Sequence, residues 1–479
     1  MKARQVLIFI IAVFVLLGLS WAIAPAGTVE AGPLELRFPS YRRSVAEASE
    51  KKVDVDSVIN SVKARFTLHD DTLSFYRNFF YENPDRIFLP GDDYRFFDPV
   101  FRKFENAAKY GQMCRVAHYG DSQIELDRIS SQLRDSLQSR FGGIGTGMFP
   151  VIGNVPSASI QRAASGDFVQ YTMYGDSTTM RAPHSRYGVM AQVVQMTGGG
   201  TVNLRASASR SASNRVKTFS SISILYGRAS KGFSVKAVSD TLKAEPITAT
   251  GENGTTLVTL SFDKPVAKAR VTFTGNAEIY GMSADGDSGV AVDNIPLRGC
   301  SGTIFTRINK DAVREGMALD GTALIIMQFG GNIMPVASSS AKIASYGERI
   351  AEQIRYFHDV APQAKILFIG PSDMGKSVGG KIVTWPRLPE VVDTLKANAL
   401  RNDAAYWDLF HMMGGENSMV RWVKHSPAWA GADYVHFTPA GATLVGETFA
   451  RSLLTYYDFY CLRKTVPSSL VREYMKKEE

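Results

Sequence analysis

The stretch MCRVAHYGDSQIELDRISSQLRDSLQSRFGG, residues 113–143, decides how the rest of the chain is read. Met113 to Gly120 is a short, largely apolar run that reads as a strand. Ser122 opens a longer segment in which Ile124, Ile129, Leu133, Leu137 and Phe141 fall near one helical face, and Gly142 and Gly143 end it. Between the two stands Gly-Asp-Ser. Alternation of strands with amphipathic helices is the pattern of an α/β domain.

The same alternation returns in the last third. TALIIMQFGGN (322–332) is a continuous apolar run, as expected of a parallel strand covered on both faces. AKIASYGERIAEQIRYFHDV (341–360) repeats Ile343, Ile350, Ile354 and Phe357 at helical spacing. AKILFIGPSD (364–373) and AAYWDLF (404–410) read as strands. LPEVVDTLKANALRND (388–403) and PAGATLVGETFARSLLTYYDFY (439–460) read as helices. From about 150 to 292 the texture differs. Short alternating runs such as VNLRAS, SISILYG and TLVTLSF are separated by Gly, Ser, Asn and Asp, the pattern of an antiparallel sandwich. The expected fold is therefore α/β, a three-layer α/β/α domain with a parallel sheet, interrupted by an inserted antiparallel β-sandwich. The expected boundaries are 111–150 with 293–465 for the α/β domain, 151–292 for the insertion, and 466–479 for a polar tail.

Lys2 and Arg4 precede an uncharged run from Val6 to Ala24, nearly long enough to span a hydrocarbon core. A signal peptide cut after Ala24 would place Pro25 next to the cleavage site, so an uncleaved membrane anchor is the favoured reading. Residues 25–110 read as a membrane-proximal cap, polar up to about 85, with a helix near DSVINSVKARF (56–66). The three cysteines, Cys114, Cys300 and Cys461, form no CxxC pair, which argues against a thiolate metal site and a disulfide framework. Exported, with the inner membrane as partner through residues 6–24 and the periplasm as compartment, is the expectation. The net charge of +8 is scattered, with no basic stripe, so nucleic acid is not an expected partner.

Gly-Asp-Ser occurs three times, ending at Ser122, Ser177 and Ser288. A catalytic serine belongs at a strand-to-helix turn, where backbone N–H groups face the developing oxyanion. Ser177 lies among sandwich strands and Ser288 precedes GVAVDN, a turn running into another short strand; both read as turns. Ser122 alone has the required context, though an N-cap serine would look the same. Its candidate partners are near the C-terminus. In GADYVHFTPAGA, Asp433 and His436 are three apart, a spacing that lets a carboxylate reach the imidazole. Gly299 in PLRGCSG and Asn332 in FGGN offer further donors at strand ends.

The order of these blocks resembles that of the SGNH (GDSL-type) hydrolases: Ser122, Gly299, Asn332, then Asp433 with His436. The resemblance spans roughly residues 112–460, apart from the insertion. It implies a serine nucleophile at Ser122, His436 as base and Asp433 as its orienter. It further implies an oxyanion hole from Ser122, Gly299 and Asn332. The chain is most similar to exported bacterial O-acetylesterases of peptidoglycan or other polysaccharides, which carry a β-sandwich between the first two blocks. Ile333 and Gln123 depart from the family's usual residues. The resemblance implies no metal and no cofactor, an acylated polysaccharide or peptidoglycan as substrate, and ester cleavage through an acyl-serine. Acyl transfer to a sugar, with a membrane O-acyltransferase as donor partner, and glycan binding without catalysis are the alternatives.

Other residues compete. His425 and His411 are alternative bases, and His118 reads as a buried structural residue. FGGIGTG (141–147) follows a helix where a phosphate loop would open one. Trp422 and Trp429, on less regular stretches near the last block, are candidate sugar contacts, whereas Trp407 reads as core.

Overall fold

The computed structural model describes residues 3–23, 27–31, 34–38 and 71–476, apart from 154, 176–178, 210–211, 241 and 249–253. The expected helix near 56–66 and the second Gly-Asp-Ser, at Ser177, lie outside the described residues. The chain divides into two units, 1–74 and 75–479.

In the first unit, α1 (Ala3–Ile23) is a single helix of 21 residues, about 31 Å long at 1.5 Å per residue. Strands β1 (Gly27–Ala31) and β2 (Leu34–Phe38) pair antiparallel. In α1 the described side chains are those of residues 5, 6, 8–16 and 19. Over the described residues, no helix is long and apolar enough to cross a membrane.

The second unit is built on a six-stranded sheet in the order β14-β4-β15-β16-β19-β3. Its strands are β3 (Ile87–Phe88), β4 (Met113–Gly120), β14 (Gly289–Pro296), β15 (Thr322–Gln328), β16 (Lys365–Ile369) and β19 (Ala404–Trp407). All neighbours run parallel except β3, which closes one edge antiparallel to β19. Every residue of β15 is buried, which explains its continuous apolar sequence. Helices α2 (Asp98–Tyr110) and α3 (Ser130–Phe141) pack by β14. Helices α4 (Lys310–Leu319), α5 (Ser340–Val360) and α6 (Leu388–Arg401) follow in the crossovers, and α5 and α6 pack by β16. Residues expected to be cap, β3 and α2, thus join this sheet and its helices.

One reading is corrected here. The long helix expected from Ser122 begins only at Ser130. Ser122–Ile124 is a single 3-10 turn, after which Leu126 and Asp127 take left-handed φ values of 61° and 62°. Asp127 is held in that break by a buried ion pair with Arg134 and a hydrogen bond from Ser159. The third Gly-Asp-Ser, ending at Ser288, leads into β14, whose Gly289 pairs with Met113 at the amino edge of the parallel sheet. Ser122 lies beyond the opposite, carboxyl edge.

Among the described residues, the insertion's strands, with β5, form one continuous antiparallel sheet of nine strands that bends along β7. Strands β5 (Gly145–Phe149) and β6 (Ile160–Thr172) lead into β7 (Gln192–Ala206), β8 (Phe219–Gly227) and β9 (Ser234–Val238). Strands β10 (Ile247–Thr248), β11 (Thr255–Val266), β12 (Lys268–Thr274) and β13 (Ala277–Asp285) complete it. The 15-residue β7 passes from β13, paired through Val194–Met196, to β12, paired through Gly199–Arg205. Gly198 and Gly199, at φ 80° and 150°, allow the change of partner at that point. The sheet so bent encloses a core that includes Val202, Leu204, Phe219, Ile222, Val271, Phe273 and Met282. It is tied to the other sheet where the Tyr119 hydroxyl donates to the Val189 carbonyl at 2.7 Å.

Candidate active site

The carboxyl ends of β4, β14, β15 and β16 converge on a cavity of about 470 Å³. Asp121 follows β4 directly. Its side chain accepts the Gln123 N–H at 3.0 Å and caps the 3-10 turn on which Ser122 sits. The Ser122 Oγ lies 2.9 Å from Nε2 of His436, and Nδ1 of His436 lies 2.7 Å from Oδ2 of Asp433. The Asp433 Oδ1 also accepts the N–H groups of Val435 and His436. Burial pushes the Asp433 carboxyl up, but these hydrogen bonds, led by that from the His436 ring, outweigh it and hold it below its ordinary value. The three residues form one hydrogen-bonded chain across 314 positions of sequence.

Gly299 and Asn332 line the same cavity. Gly299 has φ 72°, and a Cβ built on it would meet nothing within 4 Å, so its backbone faces open space. Asn332 follows Gly330, where a Cβ would come within 2.9 Å of Leu395 and Pro371. The Asn332 Nδ2 donates to Asp121 Oδ2 at 3.0 Å and to the Cys300 carbonyl at 3.1 Å. Burial pushes the Asp121 carboxyl up to about 6, against hydrogen bonds from Gln123 and Asn332 and the attraction of His436.

Several residues of the site escaped the sequence reading. Gln123 donates to the Val435 carbonyl at 2.7 Å. Arg128 donates to the Ser122 carbonyl at 3.0 Å and to the Phe437 carbonyl at 3.1 Å. Both side chains tie the serine turn to the histidine loop. At the rim, Arg298 makes two 2.6 Å hydrogen bonds to Glu125. No local pattern announces these contacts; Gln123 stood out only as a departure from the family's usual residue.

Trp422 and Trp429 do not line the cavity. Trp422 is buried, donates to the Met413 carbonyl, and packs against Trp429 and Phe437, ring centroids 5.4 and 5.5 Å apart. The pair supports the histidine loop: the Thr438 N–H donates to the Trp429 carbonyl. His425 stacks on Trp429, and His411 pairs with Asp408; neither reaches the cavity. His118 is fully buried between Gln328 and Ser130, and burial lowers it to about 4, so it is neutral at physiological pH. Among the described residues no cluster of His, Cys, Asp and Glu could hold a metal ion.

No family model and no curated protein matches the chain. Among solved structures, a peptidoglycan O-acetylesterase superposes with a TM-score of 0.59 at 21% identity, covering 78% of this chain and 96% of that one. A family two carbohydrate esterase from Cellvibrio japonicus aligns over 63% of this chain and 99% of its own, at 10% identity. Its TM-score of 0.23 carries no weight. Four blocks meet at one edge of a parallel sheet, and the chain shares the fold of that O-acetylesterase over most of both chains.

Proposed function

We propose that the protein is a serine esterase that removes O-acyl groups, in the simplest case O-acetyl, from a carbohydrate of the cell envelope. The observation that carries this reading is the chain from Ser122 Oγ through His436 to Asp433, open to the cavity. His436 takes the Ser122 proton as Oγ attacks the ester carbonyl, while Asp433 orients the ring and stabilises its positive charge. The N–H groups of Ser122 and Gly299 and the Asn332 amide are assigned to the oxyanion. As the acyl C–O bond breaks, the protonated ring passes its proton to the departing sugar oxygen, which leaves as a hydroxyl. Water, activated by the same ring, then releases the acid and restores Ser122.

The likeness to a peptidoglycan O-acetylesterase supports that substrate class for this chain. The same reading includes the three-layer α/β/α arrangement, with the antiparallel sheet, from about 151 to 292, as a carbohydrate-binding-like insertion. It also includes export to the periplasm, with α1 as an inner-membrane anchor.

The test is acetate release by the full-length protein from O-acetylated peptidoglycan and from acetylated xylan, beside Ser122→Ala. Release by the wild type alone supports the reading. Acetyl appearing on an added acceptor sugar, with little free acetate, would replace esterase by transferase. No release from either substrate would overturn it.

A further inference from the structure

The solvent face of the antiparallel sheet carries a second cavity, of about 710 Å³, across β6, β7, β12 and β9. The strand registers set its chemistry in rows. In one row Gln161, Arg205 and Lys268 stand opposite one another; in the next, Ala163, Asn203, Arg270 and Val238; the next row on the same face, just outside the cavity, is Ser165, Thr201, Thr272 and Lys236. Four strands at ~4.8 Å spacing make each full row about 14 Å long. Behind them, Val202, Leu204, Ala269, Val271, Val235 and Ala237 face the core, so the period-2 pattern fixes which side chains look outward.

Like charges directly opposite on neighbouring strands destabilise a sheet. Arg205 nonetheless faces Lys268. Among the residues that line the cavity, Asp240 is the one carboxylate, and it pairs with Lys268 at 2.9 Å. Arg270 donates to the neutral Asn203 amide at 3.1 Å. Among the described residues, Arg205, Arg270 and Lys236 are exposed cations that form no ion pair with a carboxylate. Hydroxyl and amide groups fill the positions between them, and no aromatic ring lines the cavity. A neutral glycan held by hydrogen bonds alone would leave this charge unmatched. An anionic membrane would match it, but the face presents no large apolar side chain to enter a bilayer.

We propose that this face binds an acidic polysaccharide, one with carboxylates spaced along a hydroxyl-rich chain lying across β6, β7, β12 and β9. The cations meet the carboxylates, and Gln161, Asn203, Ser165 and Thr201 meet the hydroxyls. The inference is independent of the esterase reading and would stand if Ser122 did no chemistry.

The experiment measures binding of the full-length protein, in detergent, to polygalacturonate, to its fully methyl-esterified form, to dextran, and to vesicles containing anionic phospholipid. Wild type is compared with the Arg205→Ser/Lys268→Ser double variant and with Arg205→Lys. The melting temperature and the hydrolysis of a small soluble acetate ester report on folding elsewhere. The expected result is binding to polygalacturonate that weakens as salt is raised, with dextran and the methyl ester bound far less. The double variant is expected to bind roughly ten-fold more weakly, about 1.4 kcal/mol, with Arg205→Lys near wild type. Equal binding to the esterified form or to dextran, binding to vesicles alone, an unchanged affinity in a folded double variant, or no binding to polygalacturonate would each overturn the proposal. Comparing the acid with its methyl ester keeps the test decisive if the double variant does not fold.

Discussion

The side-chain amide of Asn332 donates to the carboxylate of Asp121 at 3.0 Å, joining the residue before the candidate nucleophile to the end of the neighbouring strand. That bond fixes the plane of the amide, and its second N–H, now against the Cys300 carbonyl, is the one assigned to an oxyanion. Asn332→Ala is therefore expected to lower kcat by about 10²–10³ with a much smaller change in KM. Steady-state kinetics on a soluble acetate ester would show it; a loss confined to KM would remove Asn332 from the oxyanion role.

Asp121 is buried, and its carboxyl is pushed up to about 6. Between about pH 4 and pH 6 the folded protein then keeps a proton that the unfolded chain has released. The stability from this group is full below pH 4 and is lost as pH rises through 6, on the order of 3 kcal/mol. In Asp121→Asn that slope is expected to disappear from the melting temperature measured across this window. The variant also sets an amide N–H against another donor, at Gln123 or at Asn332, so kcat is expected to fall roughly 10-fold or more. Parallel slopes for the two proteins would show that Asp121 does not titrate there.

Ser122→Ala and His436→Ala are each expected to reduce acetate release by at least about 10³-fold while leaving the melting temperature within a few degrees. The double variant should lose little beyond either single one, because the two act as a unit. Additive losses would mean that they act in separate steps.

Gln123 and Arg128 hold the serine turn against the histidine loop through carbonyls of Val435, Phe437 and Ser122. Gln123→Leu removes its bond to the Val435 carbonyl and is expected to cost about 1 kcal/mol of stability. A ring displaced by a fraction of an ångström lowers kcat, so a fall of roughly 10-fold or more is expected at unchanged KM. Unchanged kcat would show that the loop is positioned without this tie.

Trp422→Ala is expected to lower stability by about 3–5 kcal/mol, since the ring is buried under the histidine loop. Thermal unfolding would register this before any change in glycan affinity. A selective rise in KM for a polysaccharide at constant melting temperature would restore the sugar-contact reading.

The sequence alone determined much of the scaffold. Apolar runs such as TALIIMQ can be satisfied only inside a covered parallel sheet, and the spacing of Ile343, Ile350 and Ile354 only by a helix. Asp433 and His436 were legible as a pair because three residues of one loop bring a carboxylate to an imidazole. What tertiary structure decided depends on distances that no local pattern encodes. It placed Ser122 and Ser288, already told apart by their flanking sequence, at opposite edges of one sheet. It broke the expected helix at Leu126 and Asp127, because a buried Arg134 holds Asp127 there. It buried Trp422 against Phe437, with Trp429 half-buried beside it, and brought Gln123, Arg128 and Asp121 into the site. Period and propensity act within a few residues; register, burial and contacts across hundreds of positions arise only when the sheets close.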